Sequence, residues 1–263
     1  LERPLGVGVH GWFLPTINLY GIIIDISRCD FMNNEIRFGS DIIEKRRQDL
    51  YEDIKERLAS QAIRYIIGIS GSSEADKADQ TEAVLEDFIY QFSGKDCAIL
   101  TGGTEGGIPQ ASVDIAKKFD VPTIGVFPKQ GRDYALRSSL DLMIETSPPD
   151  IGDGLFGTET PAFVNMLDGA LVVGGGCGTL AETCTILKIS DKRIRDKLRG
   201  VEGVKNPVYL VSLAGSGGAA DLATTLIKDF GQYTELYTPE SPISSGNTAA
   251  RFMLEKLKSS SEQ

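Results

Sequence analysis

Ala170-Leu171-Val172-Val173-Gly174-Gly175-Gly176-Cys177-Gly178-Thr179 is the stretch on which the fold turns. Four apolar residues, too few for a helix and rich in β-branched side chains, read as a buried strand. The strand breaks into a run holding four glycines in five residues, and helix-forming sequence resumes at Thr179. Glycines in that place let backbone N–H groups converge, and the helix behind them offers its positive end to an anion.

The same three-part pattern recurs on both sides. Upstream, Cys97 to Thr101 precedes Gly102-Gly103-Thr104-Glu105-Gly106-Gly107 and a helix expected from Pro109 to Phe119. Further upstream, a strand from Arg64 to Ser70 runs into the glycine-rich stretch Gly68-Ile69-Ser70-Gly71-Ser72-Ser73, and a helix follows to Phe92, with Asp79 and Glu82 resembling an N-cap pair. Downstream, Pro207 to Leu213 leads into Ala214-Gly215-Ser216-Gly217-Gly218 and a helix to Phe230. Pro122 to Phe127 and Leu140 to Glu145 read as two more strands, Pro161 to Leu167 and Ser245 to Lys258 as helices, and the closing SSSEQ as disordered. Alternation of this kind predicts an α/β, Rossmann-like, doubly wound and mainly parallel sheet with helices on both faces. Right-handed crossovers bring every strand-to-helix loop to one edge of the sheet, where ligands of such sheets bind.

Residues 1–60 read differently, as a strand-rich N-terminal extension and a connecting helix, set apart from a domain over 61–263. Val7 to Phe13, Leu19 to Ile26 and Asn34 to Phe38 are expected to be short strands. A charged segment from Ser40 to Ser60 carries Ile42, Ile43, Leu50, Ile54 and Leu58 on one helical stripe. The chain opens on Leu1 rather than methionine, as a trimmed chain or one domain of a longer protein would.

Composition narrows the function. A net charge of -10 and a pI near 4.8 disfavour nucleic acid and anionic lipid as partners. No apolar run is long enough to span a bilayer, and no secretory signal is read. The one histidine, His10, is read as structural, which leaves no basis for a His triad or a multi-His metal site. Neither metal nor cofactor is therefore expected. Cys29, Cys97, Cys177 and Cys184 form no CxxC pair, and free thiols in a cytoplasmic protein are expected.

The first loop nominates Gly71 and Ser72 as ligand contacts, and the second nominates Gly102, Gly103, Thr104, Gly106 and Gly107. The third adds Gly174, Gly175, Gly176, Gly178 and Thr179. The competing reading is that these are tight turns, a reading strongest for the loop at Gly215. Arg132, with Lys129 and Arg137 nearby, either meets a phosphate or is ordinary surface charge. Thr179 and Glu182 fit a T-x-x-E capping box. On that reading Glu182→Gln leaves the melting temperature nearly unchanged. Cys177 has no histidine near it in sequence and is read as inert.

The second loop, with Ala111, resembles the GGGxxGxMG loop of the SMF/DprA–Lonely Guy (SLOG) superfamily, and Gly174 to Glu182 resembles its PGGxGTxxE motif with Gly174 in place of the proline. The resemblance covers Ile63 to Phe230. It implies a ligand that is a nucleotide or nucleotide-like small molecule, and a homodimer. Lonely Guy enzymes cleave the N-glycosidic bond of nucleoside 5′-monophosphates, while other branches bind nucleotide-derived signals without turnover. The family glutamate falls on Glu182, with a role beside the ribose in place of, or besides, the cap. Glu159 is the second candidate carboxylate, or else a solvated residue at a helix start, and Thr158 beside it is expected among the ligand contacts. The enzymes' Arg-Lys pair falls where this chain has Glu159 and Thr160. A sensor or binding module is the reading this favours, with a nucleotide N-glycosidic hydrolase as the alternative.

Overall fold

The computed structural model describes residues 62–74, 81–136, 138–146, 157 and 159–261, together with Asn18–Leu19, Ile22–Ile23, Ile54 and Leu58. The chain divides into two compact units, Leu1–Arg57 and Leu58–Gln263. In the first unit, β1 (Asn18–Leu19) and β2 (Ile22–Ile23) pair antiparallel. The other strands expected there, and most of the charged segment, lie outside the described residues; Ile54 and Leu58 are helical and buried.

The second unit alternates strand and helix: β3 (Tyr65–Gly71), α1 (Glu82–Tyr90), β4 (Cys97–Thr101), α2 (Gly107–Lys118), β5 (Thr123–Pro128), a 3-10 turn (Lys129–Tyr134), β6 (Leu142–Thr146), α3 (Thr160–Met166), β7 (Gly169–Val173), α4 (Cys177–Leu198), β8 (Tyr209–Ser212), α5 (Gly218–Phe230), α6 (Thr234–Tyr237) and α7 (Gly246–Ser261). The six strands β3–β8 form one parallel sheet in the order β6-β5-β4-β3-β7-β8. β4, β5 and β7 are buried at every position, as strands covered on both faces must be. The chain winds outward from β3 to β6, returns to lay β7 on the other side of β3, and continues to β8. Right-handed crossovers running in opposite directions put helices on opposite faces. Accordingly α1 packs on α2 and α7 in one layer, and α4 packs on α3 and α5 in the other. The reversal makes the gap between β3 and β7 the topological switch point, where doubly wound sheets hold ligands.

Several element boundaries differ from the sequence reading, each for a local reason. α1 starts at Glu82 behind Thr81, so Glu82 is the first helical residue and not the third; Asp79 lies outside the described residues. α2 starts two residues before Pro109, which still sits in the first turn, where its missing N–H costs nothing. β6 starts at Leu142 because the Leu140 N–H turns back to the Leu136 carbonyl at 3.2 Å. α7 runs to Ser261: Ser259 and Ser260 donate their hydroxyls to the Glu255 and Lys256 carbonyls, so three of the five closing residues expected to be disordered are helical.

The sequence reading also missed α6, a single turn fixed from inside. Tyr237 is fully buried, and its hydroxyl donates to Asp191 Oδ1 of α4 at 3.0 Å. Asp191 also accepts the N–H groups of Gln232 and Tyr233. Burial, then the adjacent Asp191, pushes the phenol above its ordinary range, so it remains a donor. Asp191→Ala strips the acceptor from a buried hydroxyl and two amides. The expected loss is about 2 kcal/mol in urea unfolding. A loss under about 0.5 kcal/mol would show that water replaces the carboxylate.

Candidate functional site at the sheet switch point

Each glycine loop follows the carboxyl end of a parallel strand, so all four share one edge of the sheet. Loop 71–74 follows β3, loop 102–106 follows β4, loop 174–176 follows β7 and loop 213–217 follows β8. They interlock. Gly71 faces Val173 in the β3–β7 register, and a Cβ there would come within 2.7 Å of both the Val173 carbonyl and Ile108 Cγ2. The Ser72 carbonyl accepts the Ile108 N–H at 2.7 Å, tying the first loop to the start of α2. Gly174 donates its N–H to Ser216 Oγ at 2.9 Å, and its carbonyl accepts the Ala220 N–H, tying the third loop to the fourth.

The glycines fall into two groups. Gly103, Gly106, Gly107, Gly174 and Gly175 have φ between +54° and +88°, the left-handed region. Four of the five also leave no room: a Cβ at Gly107 would overlap the Ser72 carbonyl, one at Gly106 would lie 2.7 Å from the Ser73 carbonyl, one at Gly103 would lie 2.8 Å from Gly125 Cα, and one at Gly175 would overlap Thr179. The fold itself demands these residues. Gly102, Gly176 and Gly178 differ: none has a positive φ, and a Cβ at each would point into open space. Among the described residues nothing requires glycine there. Gly176 and Gly178 flank the start of α4, which has no side-chain cap hydrogen bond among the described residues; a helix start of that kind is a general anion site.

Glu182 stands one turn further along α4. Because α4 begins at Cys177 behind Gly176, Thr179 is the third helical residue and not the cap, and the capping box does not form. The buried Thr179 instead faces Gly175. Glu182 Oε2 accepts a hydrogen bond from Ser70 Oγ, at the end of the central strand. Burial pushes the Glu182 carboxyl up to about 7; the Ser70 hydroxyl pulls the other way, and the negative Glu159 adds to the rise. Two carboxyls therefore share the crevice. Glu159 sits just ahead of α3, where its Oε2 accepts the Gly157 N–H at 2.8 Å.

Arg132 belongs to the 3-10 turn, whose far end lies on the second loop through Glu105 N–H to the Tyr134 carbonyl and Leu136 N–H to the Gly103 carbonyl. Its guanidinium forks onto both oxygens of Glu145 at 2.6 and 2.7 Å. A phosphate at Arg132 would have to compete with that pair. The Thr104 backbone bridges to Ala135 on the same turn. Thr158, Arg137 and the Lys129 side chain lie outside the described residues, as do His10 and Cys29. Cys177 and Cys184 are free and exposed. Cys97 is buried in β4, where burial pushes its thiol up to about 12 and removes it as a nucleophile.

Ser70 escaped the sequence reading as a functional residue. Its signal was a hydroxyl closing the otherwise apolar run Ile66-Ile67-Gly68-Ile69. Among the described residues no group of His, Cys, Asp or Glu is placed to hold a metal, and no helix is long and apolar enough to cross a membrane. Two grooves of about 500 and 440 Å³ open elsewhere, between α4 and α5 and beside α7, and neither contains a glycine-loop residue.

Known structures share this fold. The X-ray structure of TM1055 superposes with a TM-score of 0.50 at 16% identity, over 73% of this chain and 99% of that one. A molybdenum cofactor binding protein from the phototrophic bacterium Rippkaea orientalis superposes at 0.49 with 23% identity, over 74% and 96%. A Moco carrier protein from Chlamydomonas reinhardtii does so at 0.47 with 24% identity, over 73% and 99%. Comparison with curated protein sequences gives no match. The SLOG cluster4 family model matches residues 64–195, just over half of the chain, a span running from β3 through the first three glycine loops to the last turn of α4. The chain belongs to the SLOG cluster4 family.

Proposed function

We propose that this chain is a binding module for a nucleotide or nucleotide-derived small molecule, held in the switch-point crevice as a sensed or carried ligand. The observation that carries the reading is the pair Gly176 and Gly178, which bound the uncapped start of α4 with open space where side chains would stand. Gly178, inside the first helical turn, costs helix stability, and at neither glycine does a described neighbour occupy the space of a Cβ, which supports a ligand that approaches the backbone. On this reading the first-turn amides of α4 meet an anionic group. Gly71, Ser72, Gly102 and Thr104 form the opposite wall, and Glu182 and Glu159 meet the polar body of the ligand. Arg132 and Thr158 are further expected contacts of the ligand. The homodimer implied by the family resemblance and the cytoplasmic location expected from the cysteines and the lack of a signal belong to the same reading; light scattering at micromolar concentration tests the dimer, and a monomer mass removes it.

A thermal-shift screen of nucleosides, nucleotides and the molybdenum cofactor tests the reading. A ligand at 100 times its dissociation constant stabilises by about 2.7 kcal/mol. At least one nucleotide is expected to raise the melting temperature, and a screen without any such shift overturns the reading.

A second reading is N-glycosidic hydrolysis. A carboxyl raised to about 7 beside a second carboxyl is the arrangement of a general acid with its partner. The position of the missing Arg-Lys pair argues for slow chemistry. Incubation with AMP is expected to release little or no adenine and ribose 5-phosphate. Turnover near the typical enzyme rate of about 10 per second would make hydrolysis the function.

A further inference from the structure

Ser70 sits in β3, the strand flanked by β4 on one side and β7 on the other, opposite Val172. It is 3% exposed, and its β3 neighbours Ile66, Ile67 and Ile69 are all buried and apolar. A hydroxyl in such surroundings is costly unless bonded. Its partner is Glu182, which reaches across from α4. Nearby hydroxyls are engaged elsewhere: Thr183 donates to the Thr179 carbonyl, and Thr101 accepts from the Gly103 N–H. The strand is the stiff member of the pair. A serine on a strand paired with β7 at that position has one side-chain torsion, whereas a glutamate has three. The hydroxyl is therefore the fixed point and the carboxyl the group that is held.

We propose that Ser70 is the positioning residue of this crevice: its hydroxyl pins one oxygen of Glu182 to the end of β3 and thereby sets where that carboxyl stands. Three influences act on the carboxyl. Burial resists its ionisation, Ser70 from β3 favours it, and Glu159 at the start of α3 opposes it. Among the described residues Ser70 is the one stabilising influence. Without it the carboxyl stays protonated to higher pH and swings free of the strand. The proposal bears on the binding reading only in giving Glu182 a ligand to face; the proton release itself requires no ligand.

The test is a pH titration of the full chain labelled with carboxyl-¹³C glutamate and followed by NMR, with the Glu182 signal assigned by its absence in Glu182→Gln. The wild-type signal is expected to titrate near 7. Ser70→Ala should raise that midpoint by about one pH unit, the size of one hydrogen bond to a charged group. Ser70→Cys, close in size and a weak donor, should raise it by less, and Glu159→Gln should lower it. If Ser70→Ala fails to fold by circular dichroism, Ser70→Cys decides. An unchanged midpoint in a folded Ser70 variant overturns the proposal. A shifted midpoint supports it even where the nucleotide screen has no hit, so the two readings fail separately.

Discussion

Gly107→Ala is expected to remove the folded domain or to cost more than about 4 kcal/mol in urea unfolding, the range reserved for changes the structure cannot absorb. Gly107 opens α2 at φ +54°, where a Cβ crowds its own backbone by roughly 1–2 kcal/mol. Steric contact with the first loop costs more. The new carbon would overlap the Ser72 carbonyl, with Ser73 backbone atoms close behind. That carbonyl has no freedom to retreat, because it accepts the Ile108 N–H at 2.7 Å and follows directly on the central strand. Gly178→Ala is the control. The same methyl there meets open space, on a residue already helical. Stability should be unchanged or higher by up to about 1 kcal/mol. Affinity for the nucleotide found by the screen should fall at least tenfold, because the methyl fills the approach to the α4 amides. A Gly107→Ala loss below about 1 kcal/mol would refute the steric account of the second loop. Undiminished binding by Gly178→Ala would refute the ligand's demand on the third.

Glu182→Gln should stabilise the protein at alkaline pH and leave it unchanged in acid. The Glu182 carboxyl moves from an ordinary value of 4.5 to about 7 on folding, chiefly through burial. Between those values the native state holds a proton that the unfolded chain has released. The unfolded state binds fewer protons there, so stability falls as pH rises through this window. Below 4.5 both states are protonated and the group contributes nothing. By pH 8 the cost reaches about 3 kcal/mol. Glutamine keeps the shape and an acceptor for Ser70 without the charge, so it escapes that cost. Its melting temperature should exceed wild type by roughly 5–10 °C at pH 8 and match it at pH 4. This replaces the flat response expected of a capping box, whose geometry the helix start at Cys177 rules out. A difference independent of pH would mean that the carboxyl does not titrate between the two states. A site carboxylate whose removal stabilises the fold is a residue held against stability, as functional groups commonly are.

The sequence by itself determined the architecture of residues 62–261. Apolar runs such as Gly169–Val173 are too short for helices and too uniformly buried to face water, and glycines at their ends mark where each strand must turn. Since strand–helix alternation makes the strands parallel, that pattern alone placed the four loops on one edge. Period and punctuation are local properties, and a chain carries them in linear order.

What each glycine is for was not legible, because it depends on atoms distant in sequence. Gly107 and Gly178 look alike in the chain. Only the approach of Ser72, 35 positions away, makes the first indispensable to the fold. The same holds for Glu182. Its spacing from Thr179 fits a cap, and the helix boundary, set by the path of the chain out of β7, assigns it instead to Ser70, 112 residues earlier. Arg132 is one more case: its partner Glu145 lies on the neighbouring strand β6, and strand order is a tertiary fact. Burial and neighbouring charge, which together move the Glu182 carboxyl, exist only once β3, α3 and α4 have met.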